Sequence, residues 1–319
     1  MSLSRLIIVA FTMALTSVCG QTETPPDLSE DCPPIIAAPL DEKKPDTGEV
    51  PEYPGKTVDQ IFPPVSVASL IDDDGREERQ IVEVAGYALS MKDYVPTSLA
   101  KYNKKIFNFK PRESGGYWGS VVGVSNLLGA ASEQLWVAVS GPGGVCCTNY
   151  SIVDISRETP RSIFHSEDFG SFREPMEIFD ADGDGVYELV QFDSCMRYFM
   201  GDCGSCSPEP RAHFKYDSRT RQYVAASGIA QEFYQEGLDR NEKWIDEKFR
   251  EWKRTKSLGL GQDISRALLG QVSALLHMGD EKKAWSLFNR YGEDKDGEIR
   301  REIKRRLAKC KFYQALKRR

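Results

Sequence analysis

The chain has 319 residues, 40% of them hydrophobic and 28% charged, with a mean hydropathy of -0.46, an ordinary soluble composition with apolar material for one good core and a second small one. Its formal net charge of -6 excludes nucleic-acid binding over the whole surface, because neutralising phosphates needs a basic face; any basic patch must be local.

Arg5 precedes the apolar run Leu6 to Leu15, too short to span a bilayer, and Val18-Cys19-Gly20 before Gln21 offers small residues where a signal peptidase cuts. Residues 1–20 therefore read as a cleaved export signal, which predicts a secreted or periplasmic protein. A lipoprotein anchored through an acylated Cys19 is the alternative, although Val18 stands where Gly, Ala or Ser is usual. No later stretch is long and apolar enough to cross a membrane. Residues 21–64 hold ten of the seventeen prolines among acidic residues, the composition of an extended linker that cannot pack a core, with Cys32 as a possible pin.

From 65 to 227 the texture changes to short runs of Val, Ile, Phe, Tyr and Trp broken by Gly, Asp and Asn. Strands are predicted at 80–84, 120–124, 134–139, 151–155, 162–165, 176–179 and 188–192, then a hairpin of 213–216 with 222–225. After Gly228 the period becomes helical. Tyr234, Leu238, Ile245, Phe249 and Trp252 share a face, as do Ile264, Leu268, Val272 and Leu275, then Ala284 and Phe288, then Ile299, Ile303, Leu307 and Cys310. Four helices over 228–319 are expected, with breaks at Gly279-Asp280 and near Gly292.

One stretch carries recognisable chemistry: FDADGDGVYELVQF, Phe179 to Phe192. Asp180, Asp182 and Asp184 take positions one, three and five of a loop, Gly185 position six, the Val186 carbonyl seven and Glu188 nine. These hard oxygen donors suit Ca²⁺, and four neighbouring carboxylates repel one another unless a cation neutralises them. Gln191 at position twelve, where an EF-hand has a bidentate glutamate, and strand-like flanks speak against a helix-loop-helix site.

The form D-x-D-x-D-G-x-x-E-L-V resembles the calcium loops of FG-GAP and VCBS repeats in integrin-α-like β-propellers. The resemblance covers about a dozen residues, lacks the FG and GAP tripeptides, and implies a calcium ion held by Asp180, Asp182, Asp184, Val186 and Glu188 between two strands of a blade. Together with Cys-Cys upstream and Cys-x-x-Cys downstream of it, the loop is also similar to exported bacterial proteins, which implies no activity. Stepping back 54 residues aligns Asn126, Leu128, Gly129 and 134–136 with the loop and strand, and a second step aligns Asp72, Asp74, Gly75 and 80–82. That predicts three blade-like units in an irregular or incomplete propeller, the last alone with a full ligand set.

Without Cys19 seven of the eight cysteines remain, and export favours disulfides. Cys146-Cys147 and Cys203/Cys206 follow equivalent strands on the 54-residue register, which predicts bridges between those loops. A zinc site of the same four cysteines and a redox-active Cys203/Cys206 pair are the alternatives, the latter set beside Ser207-Pro208 rather than a helix start. His165, His213 and His277 read as satisfied or surface histidines. The basic tail from Arg300 to Arg319 reads as the solvated face of a helix with a buried stripe. Leu268, Val272, Leu275, Ala284 and Phe288 resemble one tetratricopeptide-type hairpin, a unit that packs on its own domain when it has no stacked copies. The residues thus point to a calcium-stabilised β-repeat domain followed by a small α-helical domain, binding a protein or polysaccharide without catalysis. An extracytoplasmic enzyme, either a thiol oxidoreductase or a hydrolase, is the alternative.

Overall fold

The computed structural model describes residues 56–62, 64–68, 79–110, 119–140, 148–170, 172–199, 207–228, 231–292 and 297–318. The segments read as an export signal (1–20, with Cys19) and as a linker (up to residue 55, with Cys32), the Asp72–Asp74 cluster, and Cys146, Cys147, Cys203 and Cys206 all lie outside the described residues.

Strands occupy Lys56–Thr57 (β1), Pro64–Ala68 (β2), Arg79–Val84 (β3), Tyr87–Lys92 (β4), Val95–Lys101 (β5), Lys104–Asn108 (β6), Gly119–Ser125 (β7), Gln134–Ser140 (β8), Thr148–Asp154 (β9), Arg161–His165 (β10), Phe172–Phe179 (β11), Glu188–Asp193 (β12), Arg211–Asp217 (β13) and Gln222–Ala225 (β14). They form three antiparallel sheets, each built on four strands consecutive in the chain: β3-β4-β5-β6, then β7-β8-β9-β10, then β11-β12-β13-β14. β2 extends the second sheet beside β7, and β1 extends the third beside β11.

Side-chain alternation stacks the three sheets as layers. On β8, Leu135, Val137 and Val139 face a cluster with Val84, Leu89, Met91 and Leu99 of the first sheet. Trp136 and Ala138 face the opposite way, into a cluster with Ile178, Leu189, Ala212 and Phe214 of the third. The middle sheet is therefore apolar on both faces, as a strand covered on both sides must be. Gly123 faces Trp136 across the β7–β8 ladder, and the indole occupies the space where a Cβ would stand, 2.3 Å from the ring.

Residues 56–62, inside the segment read as linker, belong to the fold. β1 pairs with β11, a short helix follows at Val58–Ile61 (α1), and Val58 is buried in the cluster between the second and third sheets. Val58 and Ile61 at i, i+3 put two apolar groups on one side of α1, a signal the surrounding prolines obscure. The structure also contains β4, β5 and β6, which hydrophobic patterning passes over. They are joined by two-residue turns at Ala85-Gly86, Asp93-Tyr94 and Tyr102-Asn103, with positive φ at both residues of each turn, the mirror-image hairpin geometry normally marked by Asn-Gly or Asp-Gly.

Helices follow at Gln231–Thr255 (α2), Leu258–His277 (α3), Glu281–Tyr291 (α4), Glu298–Leu307 (α5) and Lys311–Lys317 (α6). Leu238, Ile245 and Trp252 of α2 meet Ile264, Leu268, Val272 and Leu275 of α3 and Ala284, Leu287 and Phe288 of α4 in one core, which Met196 and Phe199 join from the segment after β12. The hairpin residues Leu268, Val272, Leu275, Ala284 and Phe288 are thus spent on packing within the chain. The Ser257 hydroxyl accepts from Leu260 N–H and the Asp280 carboxylate from Lys283 N–H, which caps α3 and α4. Among the described residues no helix is long and apolar enough to cross a membrane.

The 54-residue step holds between the second and third sheets only. It superposes the loop between β7 and β8 on the loop between β11 and β12. The earlier step places 80–82 on β3, the first strand of its sheet, whereas 134–136 opens a second strand.

Candidate functional site

The acidic loop connects β11 to β12, so both flanks are strands and a helix-loop-helix arrangement is excluded. Ligand oxygens of Asp180, Asp182 and Asp184 lie within 4.8 Å of one another, and all three side chains are exposed. The loop is folded back on itself by its own carboxylates. Asp180 accepts from Gly185 N–H at 2.9 Å, Asp182 from Asp184 N–H at 3.3 Å, and Asp184 from Val186 N–H at 2.8 Å. Gly183 and Gly185 take φ of 74° and 81°, a left-handed conformation that L side chains rarely adopt, which is why glycine alternates with aspartate there.

Glu188 stands apart from that trio. It is buried at the start of β12, and its Oε2 accepts from Ala181 N–H at 2.8 Å. Burial is the largest influence on its carboxyl and raises its pKa above the usual range. The Lys215 ammonium on β13 reaches over both groups, 2.7 Å from Asp182 and 3.9 Å from Glu188. Its hydrogen bond holds Asp182 below the ordinary carboxylate pKa, and the same contact raises Lys215. A cation therefore already sits at the edge of the cluster. The loop also leans on the preceding sheet: Tyr187 N–H donates to the Leu127 carbonyl at 2.9 Å, and Tyr223 Oη donates to the Tyr187 carbonyl at 2.8 Å. In the matching loop Gln134, the counterpart of Glu188, accepts from Leu128 N–H at 3.3 Å, so an opening side chain on the second strand braces the loop in both sheets.

A second group forms where sequence reading found nothing. Asp193 ends β12, Cys195 lies in the 3-10 turn Ser194–Met196, His277 ends α3, and Cys310 caps α6. Their donor atoms lie within 4.8 Å of one another, and all but Cys195 are fully buried. The Asp193 carboxylate accepts from Cys310 Sγ at 3.0 Å and pairs with His277 Nε2 at 3.1 Å, while Cys195 N–H donates to its other oxygen at 2.8 Å. Burial alone would lower the His277 pKa, but hydrogen bonds to Asp193 and Cys310 outweigh it and hold the ring near 9. Hydrogen bonding between the two thiols raises Cys195 and lowers Cys310. The sequence signals were Cys310, which closes the apolar stripe of Ile299, Ile303 and Leu307, and His277, which reads as a satisfied or surface histidine.

The basic tail is also partly absorbed by the fold. Arg306 donates to the carbonyls of Arg197 and Tyr198, Lys311 to that of Glu167, and Lys317 pairs with Glu281. No family model matches the chain, and no curated protein or solved structure matches it.

Proposed function

We propose that this chain is an exported calcium-binding module of blade-like β repeats, serving as a non-catalytic binding or structural protein toward a protein or polysaccharide partner. The observation that carries the reading is the convergence of the Asp180, Asp182 and Asp184 carboxylates on one exposed strand-to-strand loop. Their oxygens, with the Val186 carbonyl and Glu188, supply the hard donors that Ca²⁺ takes at irregular geometry, and a divalent ion would relieve the repulsion that Lys215 relieves only at Asp182 and Glu188. Three consecutive four-stranded antiparallel sheets stacked in chain order support the blade-like description.

Calorimetric melting of the exported form in chelator and in millimolar calcium tests the proposal. A site with a dissociation constant of about 0.1 to 1 mM, usual for extracellular modules, stabilises the fold by about 0.4 to 1.4 kcal/mol in 1 mM calcium, and by about 2.7 kcal/mol when calcium reaches a hundredfold excess over that constant. Asp184→Ala removes that rise. Identical melting in both solutions would leave only an acidic turn.

A further inference from the structure

The buried quartet of Asp193, Cys195, His277 and Cys310 takes no part in the acidic loop. We propose that it binds one zinc ion, through two thiolates, an imidazole and a carboxylate, and that this ion fastens the helical region to the third sheet.

The spacing of the donors, all within 4.8 Å of one another, is close to that of a tetrahedron around a metal. Ligand bonds of about 2.0 Å to nitrogen or oxygen and about 2.3 Å to sulfur set donor–donor edges of about 3.3 to 3.8 Å. His277 Nε2 lies 3.1 Å from Asp193, 3.8 Å from Cys195 Sγ and 3.9 Å from Cys310 Sγ, and Cys310 Sγ lies 3.0 Å from Asp193. The two contacts to Asp193 are hydrogen-bond lengths that open by a few tenths of an ångström when a metal replaces the shared protons.

The histidine is oriented for metal binding from behind. Nδ1 faces the Ser273 carbonyl at 3.0 Å and keeps its proton there, so a metal that displaces the Nε2 proton meets that nitrogen's lone pair turned to the quartet. The ring stacks on Phe312, 7° from parallel at 5.5 Å, which fixes its plane. This arrangement does not fit a nucleophile–histidine–acid relay. There the acid and the nucleophile hold opposite ring nitrogens, whereas here carboxylate and both thiols crowd one nitrogen and a backbone carbonyl takes the other.

Two sulfurs with one imidazole select zinc over calcium or magnesium, and four protein donors close the sphere as in structural rather than catalytic sites. Two thiolates and one carboxylate exceed the zinc charge by one. Arg305, Arg306 and Lys309 line the cleft of about 260 Å³ that opens onto Cys195 and Cys310, which supplies the compensating positive field. That cleft is also the entry path, Cys195 being the one ligand that is not fully buried.

The test uses the full chain, purified under reductant, stripped of metal and titrated with zinc alone and with Co²⁺ as a spectroscopic probe. About one ion per chain is expected, with a cobalt spectrum showing thiolate charge transfer and tetrahedral d–d bands. Cys195→Ser, at the least buried ligand, loses the thiolate band and most of the zinc while keeping its secondary structure, and Cys310→Ser does the same. A variant with serine at 146, 147, 203 and 206 keeps both the ion and the spectrum. The proposal is overturned if no metal binds after reduction, if Cys195→Ser and Cys310→Ser retain it, if the fourfold serine variant loses it, or if peptide mapping finds Cys195 and Cys310 joined in a disulfide.

Discussion

The backbone N–H of Tyr187 donates to the Leu127 carbonyl at 2.9 Å, and so joins the acidic loop of the third sheet to the matching loop of the second. The Tyr187 carbonyl is in turn held by the Tyr223 hydroxyl. The loop that carries Asp180, Asp182 and Asp184 is therefore positioned from two sides without an ion, and the proposed calcium ion would have little backbone left to order.

Under the calcium proposal the competing cation is Lys215, whose ammonium lies 2.7 Å from Asp182. Lys215→Met removes the competitor and leaves the carboxylates unbalanced. The variant melts below the parent in chelator, gains more from calcium than the parent does, and binds it several-fold more tightly by titration calorimetry. Weaker calcium binding would mean that Lys215 orders the loop rather than competing for it.

Gly123 tests the layer packing. A Cβ there falls 2.3 Å from the Trp136 indole, which is buried between the second and third sheets. Gly123→Ala costs about 1 to 3 kcal/mol by overpacking. Gly119→Ala on the same strand, where a Cβ meets nothing within 4 Å, changes stability by a few tenths. Equal urea midpoints for the two variants would contradict the layer arrangement.

Most strands of the second and third sheets are readable from the sequence, whereas their stacking as layers is not, and the reasons for the missed strands are local. Runs such as Gln134–Ser140 announce themselves because both faces are covered and nearly every residue is apolar. Strands β4 to β6 mix Ser, Lys and Thr with their apolar residues, and their turns place Asp93, Tyr94, Tyr102 and Asn103 at positive φ without a glycine. The acidic loop is legible because all its donors fall within nine residues. The Asp193, Cys195, His277 and Cys310 group is not, since its members come from a strand end, a turn and two helix ends, at spacings that only the tertiary fold creates.

His213 gives the protein an acid-sensitive point. It is buried on β13 against Tyr234, with rings at 5.2 Å, and burial first, then the charges of Arg211 and His277, depress its pKa to about 3. The unfolded chain binds a proton near pH 6.5, the folded one only near pH 3. Between those values the unfolded state holds more protons, so stability is full above about pH 6.5 and falls as pH drops toward 3, by on the order of 5 kcal/mol. His213→Phe flattens that part of the profile, as urea titrations from pH 7 to 4 read directly. An unchanged slope would place the acid sensitivity elsewhere.

Arg306 ties α5 to the segment after β12, donating to the carbonyls of Arg197 and Tyr198 while Glu302 accepts from its Nε at 2.9 Å. A lysine cannot reproduce that fork. Arg306→Lys therefore costs about 1 to 2 kcal/mol and speeds amide exchange over residues 194–199 more than in the sheets. Uniform acceleration across the chain would show that the contact is not a local clasp.

The pairing of β1 with β11 sets an order in time. Lys56 lies opposite Ile178, so the strand nearest the beginning of the described chain has no partner until the first strand of the third sheet exists. Closing so long a loop is entropically slow compared with zipping the hairpins between consecutive strands. Each meander can form as its own strands emerge, while Val58 waits to be enclosed. The fold's earliest residues are among its last to settle.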